Sequence, residues 1–298
     1  MIKGNERISG AEERWSQYRK EITDYIQKEC QRDGRLLILG AGACDDIDLK
    51  KLLDNKREIW LADINQEALE AAVNKIKKKQ PQAVSCLHIV ETDLVCIAEQ
   101  DYEEYEKALQ QGMKAIRQWW EDYSKRFQES YGFLRDIRND MRQEGIERID
   151  SAVCLGLHSQ LYMELVLRTR KLQTQLASDV YAEALRLIQE ANRKMAEGFM
   201  EEIRGITKKL ILGLEYTTIF REETALEETI LQTLMTTGTS GLQAMQLSRV
   251  EGAFQLEQEL GNCCRQNKVR LMDYQYFWWP FLEEKSYLMV IFSILCYN

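Results

Sequence analysis

The chain is 298 residues long, with hydrophobic residues at 45% and charged residues at 30%. That balance excludes a disordered or fibrous protein, and the length suits one large α/β unit or two small ones. Forty basic against forty-eight acidic side chains leave a formal charge of −8, so the surface as a whole repels nucleic-acid phosphates and anionic lipid headgroups, and neither partner is expected.

Trp15, Tyr18, Ile22, Tyr25 and Ile26 recur at three-to-four spacing among charged residues. This predicts an amphipathic helix over about residues 11 to 31, within an N-terminal helical segment spanning 1 to 34. Arg35-Leu-Leu-Ile-Leu-Gly40 is a short apolar run ending in glycine, the pattern of a parallel strand buried on both faces. A helix is expected at about 46 to 54, a second strand at Glu58 to Asp63, and a helix from Gln66 to Lys79. Cys86 to Val90, Ile149 to Leu155 and Lys209 to Glu215 predict strands three, four and five. Strands alternating with helices need crossover connections, which put them parallel in an open sheet.

The last two strands break that rhythm. Val269 to Trp278 and Ser286 to Ile294 are separated by Trp279 to Lys285, too few residues for a helical crossover, so they are expected to form an antiparallel hairpin. The final apolar run, Tyr287 to Tyr297, is about half the roughly 20 residues a spanning helix needs, and no membrane association is expected. Helical insertions are expected at about 99 to 148, 160 to 207 and 221 to 265. With no internal repeat and no Pro-rich linker, the chain reads as one Rossmann-like domain: a seven-stranded, mostly parallel sheet with a C-terminal antiparallel hairpin and helical elaborations.

The eight cysteines contain no C-x-x-C pair and several fall in apolar strands. No metal site and no disulfide framework is expected, and reduced core thiols in a cytoplasmic protein are the simplest reading, with adjacent Cys263 and Cys264 ambiguous.

Gly40-Ala-Gly-Ala-Cys44 stands where strand one meets the next helix, the edge at which an open parallel sheet meets its ligands. Asp63 closes strand two, where a carboxylate accepts hydrogen bonds from the two ribose hydroxyls of an adenosine. Together these point to a nucleoside cofactor. The structural alternatives are ordinary turn glycines, with Asp63 and Asp93 serving as helix caps.

At these residues the sequence resembles the class I S-adenosylmethionine-dependent methyltransferases. The likeness rests on Leu37 to Cys44, Ile59 to Asn65, Val90 to Leu94 and the closing hairpin with Phe277-Trp-Trp-Pro-Phe281 and Ser286 to Val290. It implies S-adenosylmethionine as cofactor, with Gly40, Ala41 and Gly42 against its methionine part, Asp63 at the ribose, Asp93 at the adenine amino group flanked by Thr92 and Leu94, and Ile64 and Leu155 as further cofactor contacts. Two positions depart from the family pattern. Ile38 replaces an acidic residue and Cys44 replaces a third glycine, which leaves Asp45 or Asp46 as candidates to meet the cofactor's amino group.

Beyond strand four, His158, Ser159 and Gln160 fall on the edge expected to face the transferred methyl. His158 is the candidate general base, its alternatives being a helix cap or a cofactor contact. Glu215 and Tyr216, just past strand five, border the same cleft. Trp119 and Trp120 sit about 100° apart on a helix and are not expected to face one cavity, and His88 is expected to be a satisfied core histidine. The Asn-Pro-Pro-aromatic signature of many enzymes that methylate amino groups of nucleic-acid bases or proteins is absent, so a small-molecule acceptor is the leading expectation. A non-catalytic cofactor-binding or partner-binding member of the fold is the alternative. An NAD-dependent oxidoreductase is disfavoured by the closing hairpin and by Asp45 at the third glycine of G-x-G-x-x-G.

Overall fold

The structure, a computed structural model, describes residues 8, 10–54, 57–130, 134–158, 160–237, 241 and 251–297. Tyr131, Phe133 and Ser159 lie outside these, as do residues 238–240 of the segment from Thr236 to Gly241. Seven strands form one sheet in the order β3-β2-β1-β4-β5-β7-β6. They are β1 (Arg35–Leu39), β2 (Glu58–Asp63), β3 (Leu87–Glu91), β4 (Ile149–Leu155), β5 (Thr207–Phe220), β6 (Val269–Trp279) and β7 (Lys285–Cys296). The first five pair in parallel, while β7 runs antiparallel to both β5 and β6. The strand order therefore reverses between β1 and β4, which opens a crevice at their carboxyl ends.

The period of two along each strand divides the core into two layers. Leu36, Ile38, Ile59 and Leu61 pack on one face with α2 (Ser16–Glu29), α3 (Leu49–Leu53) and α4 (Gln66–Lys79). Leu37, Leu39, Trp60 and Ala62 pack on the other with α7 (Arg135–Gln143), α9 (Ser178–Ile206) and α11 (Glu251–Arg265). Each fully buried aliphatic side chain contributes about 1.5–3 kcal/mol, so these two layers fix which residues reach the sheet edge.

The N-terminal helical segment breaks at Trp15, between α1 (Ala11–Arg14) and α2, and the tryptophan indole donates to the Phe281 carbonyl at 3.2 Å. Helix α3 starts later than its charge pattern suggests, because Asp48 caps it by accepting from the Lys51 amide at 3.1 Å. The insertions supply α5 (Glu99–Gln111), α6 (Met113–Ser130), α8 (Met163–Lys171) and α10 (Glu227–Thr237), besides α7, α9 and α11. Together α5, α6, α8 and α9 enclose a third cluster of their own. There Trp119 packs edge-on to Tyr105 and stacks on Tyr123, whereas Trp120 lines a groove between α6 and α9 with Tyr123, Phe127, Tyr162, Leu187 and Met195. The two rings also meet each other edge-on at 5.1 Å, so both pack in this one cluster and only Trp120 reaches the groove.

His88 stands in strand three and is satisfied, as expected, but at the edge of the sheet and not in the core. It lies on β3, an edge strand, where its half-buried ring stacks on Trp60 at 4.7 Å and its Nε2 sits 3.1 Å from the Glu58 carboxylate. Five of the eight cysteines are buried, Cys86 and Cys264 are partly so, and Cys96 is exposed; all eight are free thiols. No helix among the described residues is long and apolar enough to cross a membrane.

Candidate functional site

The loop after β1 is held by two hydrogen bonds into β2. The amides of Gly40 and Ala41 both donate to the Ala62 carbonyl, at 2.9 and 3.1 Å. The chain then turns through left-handed conformations at Gly40 (φ 67°), Gly42 (φ 47°) and Cys44 (φ 51°). Cys44 therefore adopts the backbone of the glycine it replaces, at the strain cost of a non-glycine residue there, about 1–2 kcal/mol. Its side chain is buried with the α2 and α3 layer. At Gly40 an added Cβ would lie 3.1 Å from the Leu157 side chain, but at Gly42 it would meet nothing within 4 Å among the described residues. Gly42 therefore borders open space at the crevice.

Asp63 locks this loop to the end of β2. One carboxylate oxygen accepts from the Gly42 amide at 2.8 Å and the other from the Asn65 amide at 2.9 Å. The helix cap belongs instead to Asn65, whose side chain accepts from the Ala68 amide at 3.0 Å. Each Asp63 oxygen keeps a second lone pair for a donor from outside the chain. Beside it Ile64 is 60% exposed, an apolar side chain placed where a planar ring can cover it.

The next loop continues the same edge. The Thr92 amide donates to the Asp63 carbonyl at 3.0 Å, and the buried Thr92 hydroxyl meets Asp136 of α7 at 3.3 Å. Asp93 caps no helix: its Oδ1 accepts from the Val95 amide at 2.9 Å, an Asx turn that fixes the carboxylate at the loop tip. Leu94 is buried behind it.

The two acids after the glycine loop have different fates. Asp45 is engaged by Lys75 of α4 at 2.6 Å, and that ammonium also donates to the Ala43 carbonyl at 2.8 Å. Asp46 sits half-buried, and withdrawal from water, with Asp45 adding to the effect, pushes its carboxyl up to about 6. Between these two, Asp46 is the one that gains from a cation. The folded chain holds this proton more tightly than the unfolded one, so the protein loses stability as pH rises from about 4 through 6. We expect Asp46→Asn to be more stable than wild type at pH 7.5, by on the order of 2 kcal/mol, and equal to it at pH 4; urea unfolding at both pH values measures this.

Past β4, Gly156 (φ 60°) turns the chain, and Leu155 packs against β5. His158 does not present a base. It is 4% exposed, its ring meets Phe199 of α9 edge-on at 4.7 Å, and neither nitrogen has a hydrogen-bond partner among the described residues. Burial pushes its imidazole down to about 3, so it is neutral at physiological pH and a weak proton acceptor. Tyr216 turns to the α11 side, where its hydroxyl donates to Glu257, while Glu215 points to the opposite face. A side chain that sequence reasoning left in the core joins this edge: Tyr18 of α2 lies against Trp279, with its buried hydroxyl unpartnered among the described residues. Its only signal in the sequence was an aromatic spacing shared with any amphipathic helix.

A parallel sheet ordered 3-2-1-4-5, closed by a reversed strand between β5 and β6 and carrying its glycine loop and acidic residue at the crevice, decides the architecture. The chain has the class I methyltransferase fold. No protein-family model matches the chain, and no curated protein matches it. Among solved structures, this fold is similar to the glycopeptide N-methyltransferase MtfA complexed with S-adenosylmethionine, at 8% identity and a TM-score of 0.41 over 93% of this chain and 87% of that one. It is also similar to a SAM-dependent methyltransferase from Methanosarcina mazei, at 11% identity and a TM-score of 0.43, covering 91% of this chain and 96% of that one. A third is the small RNA methyltransferase HEN1, at 12% identity and a TM-score of 0.44, covering 98% of this chain but 27% of that one.

Proposed function

We propose that this protein is an S-adenosylmethionine-dependent methyltransferase acting on a small-molecule acceptor. The observation that carries the reading is Asp63, a carboxylate pinned between the Gly42 and Asn65 amides at the crevice, with exposed Ile64 beside it and open space over Gly42. Those are the parts an adenosine needs: acceptors for two ribose hydroxyls, an apolar surface for the base, and bare backbone for the chain beyond the ribose. Asp93 at the next loop tip accepts from the adenine amino group, flanked by Thr92 and Leu94. Asp46 meets the amino group of the methionine part, replacing the acid that Ile38 displaces.

When bound, this cofactor supplies an electrophilic methyl on a positively charged sulfur. The chain's own work is alignment and exclusion of water, since a direct displacement needs the acceptor in line far more than it needs a dedicated base. The buried, neutral His158 fits that economy.

Gly42 offers the simplest test. A methyl group there projects into the open space and adds about 1–2 kcal/mol of backbone strain, leaving the sheet intact. We expect Gly42→Ala to keep its far-ultraviolet circular dichroism while affinity for S-adenosylhomocysteine falls at least tenfold. Unchanged affinity would place the ligand elsewhere.

A further inference from the structure

The groove between α6 and α9 lies outside the donor crevice. It holds about 670 Å3 of space, within the range of about 300–1,000 Å3 in which small-molecule sites fall. Arg117, Trp120, Glu121 and Ser124 recur at three-to-four spacing along α6, and Leu187, Glu190, Ala191 and Lys194 do the same along α9, so each helix turns one stripe toward it. Its inner wall is tied to the loop of Asp93. The Tyr123 hydroxyl donates to the Val95 carbonyl at 2.6 Å, which leaves the Tyr162 hydroxyl, 3.2 Å away, to donate to Tyr123. The groove thus adjoins the donor loop while sharing no residue with the positions assigned to the cofactor.

The floor is apolar and already packed. Trp120 meets Trp119 edge-on at 5.1 Å and Tyr123 edge-on at 5.6 Å, so a ligand that covers Leu187, Ala191 and Met195 finds a surface needing little further ordering. Most charges on the rim are matched within the chain. Arg117 and Arg186 both engage Glu183, and Arg186 and Lys194 share Glu190. Glu121 and Lys125 are the exceptions. Both line the groove, one helical turn apart, both are exposed, and neither has an ion pair or hydrogen bond among the described residues. One acid and one base therefore stand unmatched beside an apolar floor.

We propose that this groove binds a free α-amino acid with a large apolar side chain, its ammonium at Glu121, its carboxylate at Lys125 and its side chain over Leu187, Ala191 and Met195. An α-amino acid carries both signs on one carbon and so answers both unmatched groups, whereas an amine or a carboxylic acid of the same body answers only one. Pairs this exposed strengthen binding only a few-fold each. Affinity therefore comes from burying the apolar side chain, and the two charges select the head group. The site is separate from the methyl-transfer reading and does not depend on it.

The test is calorimetric titration of the full chain at pH 7.5 with L-phenylalanine, 2-phenylethylamine and 3-phenylpropionate, three probes with one ring and different head groups. The expected result is binding of phenylalanine at least fivefold tighter than of either other probe. Glu121→Gln should bring phenylalanine down to the level of 3-phenylpropionate, and Lys125→Met should bring it down to that of 2-phenylethylamine. Ala191→Trp, which fills the groove, should abolish binding of all three with an unchanged far-ultraviolet circular dichroism spectrum. The two charge variants lie on the exposed rim and keep the test open if the filled variant does not fold. Equal binding of the three probes, binding of none, or a preference that survives either charge variant overturns the proposal. So does a tenfold loss of S-adenosylhomocysteine affinity in either charge variant, which would assign these groups to the donor.

Discussion

Gly213→Val should unfold the protein or lower its stability by more than about 3 kcal/mol. Gly213 sits inside β5, between β4 and β7. A Cβ there would lie 2.7 Å from the Leu155 Cδ2, 2.8 Å from the Ile291 Cδ1 and 3.3 Å from the Leu155 Cα. Two of those atoms end side chains that are themselves packed, and the third is backbone, so the neighbours have little room to yield. Alanine alone would cost about 1–3 kcal/mol, the range for overfilling a well-packed core, and valine adds two methyl groups in the same slot. Urea denaturation of both variants measures the series. A valine variant as stable as wild type would mean that β4, β5 and β7 do not pack in this register.

The second large effect is a loss of stability in acid traced to one residue. His158 is buried and neutral, with its imidazole pushed down to about 3, whereas the unfolded chain takes up a proton near 6.5. Below about pH 6.5 the unfolded state binds the proton and the folded state does not, so stability falls as pH drops and continues to fall until about pH 3. At about 1.4 kcal/mol per unit the full span is on the order of 4–5 kcal/mol. His158→Leu removes the ring, keeps an apolar side chain against Phe199, and should flatten this part of the profile. We expect wild type and variant to diverge steadily between pH 6.5 and 4.5 in urea unfolding. Of the two imidazole proton signals, the one missing from the variant should not shift between pH 8 and 5. A wild-type profile parallel to that of the variant would put the ring in contact with water and return it to consideration as a base.

These residues also show where sequence is informative. Helix α4 and strand β2 carry clean periods, an N-capping Asn65 and a terminal Asp63, and both stand at the ends their pattern predicts. The glycine loop was legible because left-handed backbone favours glycine, and the donor half of the crevice is built from contiguous short segments. The other end of the crevice is assembled from distant ones: Tyr18 and Trp279 are separated by most of the chain and meet by stacking. No local pattern encodes that meeting. His158 illustrates the opposite failure, since its place after β4 put it on the right edge while its side chain turned to Phe199. Strand β5 continues to Phe220, well past Glu215, because its pairing with β7 extends along the hairpin. A purely local apolar run cannot report that extension.

We propose that Asp63 holds the ribose of S-adenosylmethionine. The most direct test is calorimetric titration of the purified protein with S-adenosylmethionine, S-adenosylhomocysteine and NAD, with Asp63→Ala alongside. Binding of the first two at about micromolar affinity, weakened at least a hundredfold in the variant, is the expected result, since charge-assisted hydrogen bonds of this kind contribute about 1.5–3 kcal/mol each. Binding of NAD alone, or of none of the three, would contradict the account.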